Sequence, residues 1–131
     1  MKKDRLLNPQ LIQAIAAMGH TDLLVVADAG LPVPKGVAVV DLSLIRGIPT
    51  FVDTLRAICE ELVVEGYILA EEMEGKRPAL YAQTRSLLGD LPCETMTHEE
   101  LKRLSQKAYV IVRTGETTSY ANVILRAGVN F

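Results

Sequence analysis

The sequence predicts a single α/β domain with a largely parallel or mixed sheet between helices. Three observations carry this. Apolar runs of strand length alternate with amphipathic stretches of helical period along the whole chain. The run Leu23-Leu24-Val25-Val26-Ala27 is continuously apolar, as a strand buried on both faces must be. The length, 131 residues, suits one domain spanning 1–131 and leaves nothing for a second.

The elements follow in order. Asn8 is a good N-cap, Pro9 suits the first helical position and Gly19 a stop; between them Leu11, Ile12, Ile15 and Met18 share one face. The buried strand Leu23 to Ala27 ends at Asp28-Ala29-Gly30, where Pro32 and Pro34 predict a loop. Val37 to Val40 is a second short strand. Pro49 is expected to start a helix whose stripe is Phe51, Leu55, Ile58, Cys59 and Leu62. Tyr67 to Ala70 reads as a strand, with Glu71, Glu72 and Glu74 in a solvated turn after it. Pro78 opens a helix through Leu88, closed by Gly89. Cys93 to Met96 is a short strand, and Thr97 with Glu100 fits a capping box. Ala108 to Val112 is a strand, 113–118 a polar turn, and Asn122 to Leu125 the last strand.

Composition narrows the function. Lys plus Arg is 14 and Asp plus Glu 16, a formal charge of −2. With a pI near 5.7, the chain lacks the basic surplus of a nucleic-acid binder. Apolar residues make up 49 %, a surplus for so small a domain, which predicts a subunit interface and self-association. No apolar run approaches the roughly 20 residues of a membrane-spanning helix. Met1-Lys2-Lys3 resembles the start of a signal peptide, but Asp4, Arg5, Gln10 and Gln13 interrupt what would follow. Cys59 and Cys93, unpatterned, predict a reduced cytoplasmic protein.

Nucleotide-binding glycine motifs, a Cys-x-x-Cys pair, a nucleophile elbow and metal-ligand histidine spacing are all missing, so no cofactor or metal is expected. Catalysis would rest on side chains. His20 can give or take a proton near neutrality, or can cap a helix C-terminus. Asp28 ends a buried strand, where ligand crevices of α/β sheets lie, or starts an Asx turn. His98 stands in a helical first turn whose dipole disfavours a charged imidazole, so it can hydrogen-bond a polar ligand while neutral, or simply lie on the surface. Lys102, one turn on, reads as solvated. Tyr120 and Asn122, two apart at the start of the last strand, are expected to face one side and offer a hydroxyl and an amide to a polyol, or to be a core tyrosine and a turn asparagine.

Taken together, Gly19-His20-Thr21-Asp22, Ala27-Asp28-Ala29-Gly30-Leu31-Pro32-Val33-Pro34, Arg113-Thr114-Gly115-Glu116, Tyr120-Ala121-Asn122 and Ile124 to Val129 resemble the D-ribose pyranase family, over nearly the whole chain. Fucose mutarotases are its relatives. Asp28 to Pro32 and Tyr120-Ala121-Asn122 resemble the ribose branch rather than the fucose one. The resemblance implies a three-layer α/β/α fold and interconversion of the pyranose and furanose forms of D-ribose. It implies ring-shaped oligomers, typically a homodecamer of two stacked pentamers with sites near subunit boundaries. It assigns His20 as proton donor and Asp28, His98, Tyr120 and Asn122 as sugar-binding residues.

Ring opening needs a proton delivered to the ring oxygen and one removed from the anomeric hydroxyl, help worth roughly 10²–10⁴-fold. His20 is expected to protonate the ring oxygen, and Asp28 to hold His20 or a sugar hydroxyl. The alternatives are a mutarotase for L-fucose or another monosaccharide, and a non-catalytic sugar-binding subunit, which would not need a titrating His20.

Overall fold

The computed structural model describes residues 1–131. Eleven elements alternate along it: α1 (Pro9–Ala17), β1 (Leu23–Ala27), β2 (Ala38–Asp41), α2 (Phe51–Cys59), β3 (Val64–Ala70), α3 (Glu71–Lys76), α4 (Pro78–Leu88), β4 (Cys93–Met96), α5 (His98–Ser105), β5 (Val110–Arg113) and β6 (Val123–Ala127). The strands form one sheet in the order β2-β5-β1-β6-β3-β4. β1 pairs in parallel with β5, β5 with β2, and β3 with β4; β6 runs antiparallel between β1 and β3. The mixed, largely parallel sheet of the sequence reading is therefore present.

Helix ends follow local chemistry. The Asn8 carboxamide accepts the Leu11 N–H at 2.9 Å, and Pro9 occupies a position whose missing N–H costs nothing. Thr97 and Glu100 close the expected capping box on α5. Gly89 takes φ +60° just after α4, a conformation that favours glycine.

Two apolar layers flank the sheet. Alternate residues of the central strands, Leu24, Val26, Tyr67, Leu69, Val112, Val123 and Leu125, bury against Leu11 of α1, Phe51, Leu55 and Ile58 of α2, Met73 of α3 and Leu88 of α4. The opposite positions, Val25, Ile68, Ile111 and Ile124, bury against Leu101 of α5 and Leu31 of the loop after β1. Each fully buried Leu or Ile side chain contributes about 1.5–3 kcal/mol. Helices on both faces make the three-layer α/β/α arrangement. The α5 face is thinly covered at its β2 side, where Val39, in register with Ile111, stays 42 % exposed.

Several boundaries differ from the sequence reading. α2 starts at Phe51, not Pro49, because Thr50 provides the cap through its side chain, which accepts the Asp53 N–H. The acidic stretch after β3 is helix α3 rather than a turn, its carboxylates favoured by the N-terminal end of the dipole. β3 extends back to Val64, and β5 ends at Arg113. β6 begins at Val123, leaving Tyr120 and Asn122 outside it. No helix is long and apolar enough to cross a membrane.

Candidate functional site

Sheet direction decides which residues can meet. β1 through β5 all run one way and β6 the other. The carboxyl ends of five strands and the amino end of β6 therefore share one rim of the sheet. On it stand Asp28 after β1, Glu72 after β3, His98 after β4, Glu116 after β5, and Tyr120 and Asn122 before β6. An open cleft of about 750 Å³ lies there, lined by Asp28, Arg46, His98, Lys102, Glu116 and Tyr120 among others.

Asp28 is the anchor of this rim and is nearly buried. Its Oδ1 accepts the Gly30 N–H at 2.9 Å, the Asx turn that the loop composition predicts. Its Oδ2 accepts from the Asn122 side chain at 2.9 Å, and its own N–H donates to the Asn122 Oδ1 at 2.9 Å. Asn122 is fully buried. Its amide is thus spent on Asp28, and the expected common side for Tyr120 and Asn122 is not found. The strand geometry behind that expectation fails because Tyr120 takes φ +65° in a turn. Such a conformation is strained for a residue with a Cβ and recurs at functional sites.

Tyr120 instead meets His98, ring centroids 5.1 Å apart and nearly perpendicular. Lys76 Nζ lies 5.3 Å from the Tyr120 ring centroid. The His98 Nδ1 is buried without a hydrogen-bond partner. Its main-chain N–H donates to both Glu72 oxygens, at 3.0 and 3.2 Å. Lys102, read as solvated, pairs with Glu99 and also lines the cleft.

Three contributors escaped the sequence reading. Sequence alone places Glu72 in a solvated turn, yet its carboxylate accepts the His98 N–H and so fixes the start of α5 and the seat of His98. Arg113 donates to the Ala29 carbonyl at 2.8 and 3.1 Å, clamping the turn after Asp28. Glu116 accepts the Phe51 N–H at 3.0 Å and the Thr118 N–H at 3.3 Å. Burial opposes its charged form, but these donors outweigh burial and hold its carboxyl below the usual range. The signal for all three is weak: a charge at or within three residues of a strand's carboxyl end, on the rim that the topology brings together.

His20 is elsewhere. It precedes β1, on the rim opposite Asp28, with about 16 Å of strand between the two ends. Within one chain Asp28 therefore does not hold His20. Nor does His20 cap α1, which ends at Ala17 with Met18 as its cap. Its Nε2 lies 2.8 Å from Glu65 Oε2, and it lines a second cavity of about 550 Å³ with Met18, Glu61, Val63 and Phe131. No cluster of three His, Cys, Asp or Glu side chains is placed to hold a metal ion.

Comparison with known proteins supplies the context for this arrangement. The model of the RbsD / FucU transport protein family matches residues 1–130. The D-ribose pyranase of Coprothermobacter proteolyticus is 52 % identical over 131 residues, covering 100 % of both chains. Among solved structures, Bacillus subtilis RbsD complexed with D-ribose superposes with a TM-score of 0.96 at 46 % identity over 100 % of both chains. The fucose mutarotase of Streptococcus pneumoniae, complexed with L-fucose, has a TM-score of 0.82 at 27 % identity, covering 95 % of this chain and 94 % of that one.

Proposed function

The chain belongs to the RbsD / FucU transport protein family, and we propose that it is an isomerase interconverting the pyranose and furanose forms of D-ribose. The observation that supports this most is the full-length likeness to the ribose-bound RbsD fold, at 46 % identity against 27 % for the fucose mutarotase. The rim cleft suits the substrate. It offers an aspartate, a histidine, a tyrosine hydroxyl and a lysine, the mixture of donors and acceptors that a polyol needs.

The reaction uses protons alone. His20, as imidazolium, gives a proton to the ring oxygen while the bond from the anomeric carbon to that oxygen breaks. The anomeric hydroxyl loses its proton to a base or to water, and a free aldehyde forms. Another hydroxyl of the open chain then adds to the aldehyde, and the protons return. Asp28, His98 and Tyr120 hold sugar hydroxyls, and Asn122 contributes by fixing Asp28.

One chain cannot complete this site, because His20 and Asp28 sit on opposite rims. A neighbouring copy supplies the missing half. Exposed apolar side chains support such packing: Leu44, Ile45 and Ile48 on the loop after β2, and Val63, Val129 and Phe131 beside His20. A head-to-tail contact of this kind forms a ring when its rotation closes. The assembly we propose is a homodecamer of two pentameric rings. The working unit is the whole span 1–131, acting in the cytoplasm on ribose after uptake.

Saturation-transfer NMR on D-ribose tests the reading. Exchange between pyranose and furanose signals should be accelerated by the protein and lost in His20→Ala and in Asp28→Ala. Co-expressing the two variants in equal amounts should restore about a quarter of the activity, since that share of shared sites is intact. Acceleration of L-fucose exchange alone would move the assignment to the fucose branch. Binding without any acceleration would leave a sugar-binding subunit.

A further inference from the structure

Glu65 lies at the one break in the ladder between β3 and β6. Val64 pairs with Ala127 and Gly66 with Arg126, so Glu65 is the extra residue of a β-bulge. A bulge re-aims the side chain it carries, and bulges gather beside active sites. Here the re-aimed carboxylate reaches His20, Oε2 to Nε2, at 2.8 Å.

Consecutive residues at the end of β6 hold the two sides, Ala127 that of His20 and Gly128, just past the strand, that of Glu65. On the His20 side, the Thr21 N–H donates to the Ala127 carbonyl at 2.8 Å and the Ala127 N–H to the Asp22 carbonyl at 2.9 Å. Thr21 takes φ +71° to do this, a strained conformation for a β-branched residue. The Asp22 carboxylate accepts the Gly19 N–H at 2.8 Å and closes the turn around His20. On the Glu65 side, the Gly128 N–H donates to the Val63 carbonyl at 2.8 Å. A Cβ on Gly128 would stand 3.2 Å from Val63 Cγ1 and 3.3 Å from the Glu65 Cβ, so the glycine leaves room for the bulge that carries Glu65. A strained turn, a bulge and a small residue thus converge on one hydrogen bond between two half-exposed side chains. Surface ion pairs seldom receive such support.

We infer that Glu65 is the positioning residue of His20: it accepts the Nε2 proton, fixes the ring plane and tautomer, and leaves Nδ1 as the nitrogen that exchanges a proton with the sugar. A histidine nitrogen is selected by the bond its partner nitrogen makes. The inference rests on the assignment of His20 as the proton donor. Glu65 itself touches no substrate.

The experiment combines ring tautomers with kinetics. The chain holds two histidines, so long-range ¹H–¹⁵N correlation of ¹⁵N-histidine-labelled protein resolves both, and His20→Ala assigns them. In the unliganded wild type the neutral His20 ring should be predominantly the Nε2–H tautomer. Glu65→Ala should mix the tautomers and lower the kcat for ribose exchange by about tenfold or more, with KM within about twofold. Glu65→Gln, which keeps an acceptor oxygen and the same shape, should retain much of the tautomer and recover part of kcat. If His20→Ala is inactive while Glu65→Ala keeps both the wild-type tautomer and kcat, the positioning role is refuted. If His20→Ala itself turns over normally, the failure lies with the donor assignment instead.

Discussion

Asn122→Asp is the substitution that most directly tests the anchoring of the candidate cleft at Asp28. The Asn122 amide is fully buried and makes two 2.9 Å bonds to Asp28, one accepted from its N–H and one donated to its carboxylate. Aspartate keeps the acceptor but sets a second carboxylate oxygen where the donor was. At 2.9 Å and an effective dielectric of about 20, two unit charges repel by about 6 kcal/mol. Binding one proton to an ordinary carboxylate at pH 8 costs about 5.6 kcal/mol, and at pH 5 about 1.5 kcal/mol. Protonation is therefore the less costly course up to about pH 8, and the new O–H restores the lost donor.

The folded variant then carries one proton more than its unfolded chain above pH 5. Stability falls with pH wherever the folded state binds the extra proton, at about 1.36 kcal/mol per pH unit. Relative to wild type, the variant should lose about 1.5 kcal/mol at pH 5 and about 5 kcal/mol near pH 8. Urea denaturation followed by circular dichroism across this range, at one protomer concentration, measures the difference. Wild-type and variant curves that run parallel from pH 5 to pH 8 would refute the coupling of Asn122 to Asp28.

Other parts of the site make separate predictions. Glu116 has its folded-state pKa below the ordinary value, so its contribution is complete above pH about 4.5 and is lost as pH falls through the lower folded value. Glu116→Gln should weaken the fold at pH 7 and flatten the acid limb of the stability curve, read by denaturation between pH 6 and pH 3. A Cβ at Gly115 would meet the Ile48 carbonyl oxygen at 2.2 Å and the Ile45 oxygen at 2.7 Å, both backbone atoms. Gly115→Ala should therefore cost about 3 kcal/mol and lower Tm by about 10 °C. Burial pushes the Cys59 thiol up to about 11, leaving little thiolate at neutral pH. Its reaction with a disulfide reagent should be slow and rise about tenfold per pH unit up to that value, and Cys59→Ser should leave any fast phase untouched.

Much of the fold was legible because its signals are local. Asn8 with Pro9, Thr97 with Glu100, and Gly89 after Leu88 each mark a helix end through bonds within a few residues, and those ends fall where the chemistry places them. The run Leu23 to Ala27 is apolar on both faces because helices cover both faces of the sheet there. Boundaries drifted where a long-range partner decides them. β6 starts after Asn122, whose amide is taken by Asp28, so the residues before Val123 cannot keep a strand's alternation. Glu72 looked like solvated charge because its partner, the His98 N–H, comes from a distant element.

The rim that carries the candidate site was legible from its strand ends and misleading in its sequence distances. Asp28, His98 and Tyr120 look unrelated along the chain, yet parallel strands carry their carboxyl ends to one rim, and the reversed β6 brings Tyr120 back to it. His20 lies close to Asp28 in sequence, yet the intervening strand β1 is what separates them. A strand is the least compact way to join two residues, so proximity in sequence across it means distance in space. The same rule makes Glu65, at the start of β3, and Gly128, just after β6, the natural neighbours of His20. With His20 on one rim and the Asp28 cleft on the other, the proposed reaction requires two copies to meet rim to rim. The apolar surplus of so short a chain is the surface that the proposed assembly would cover.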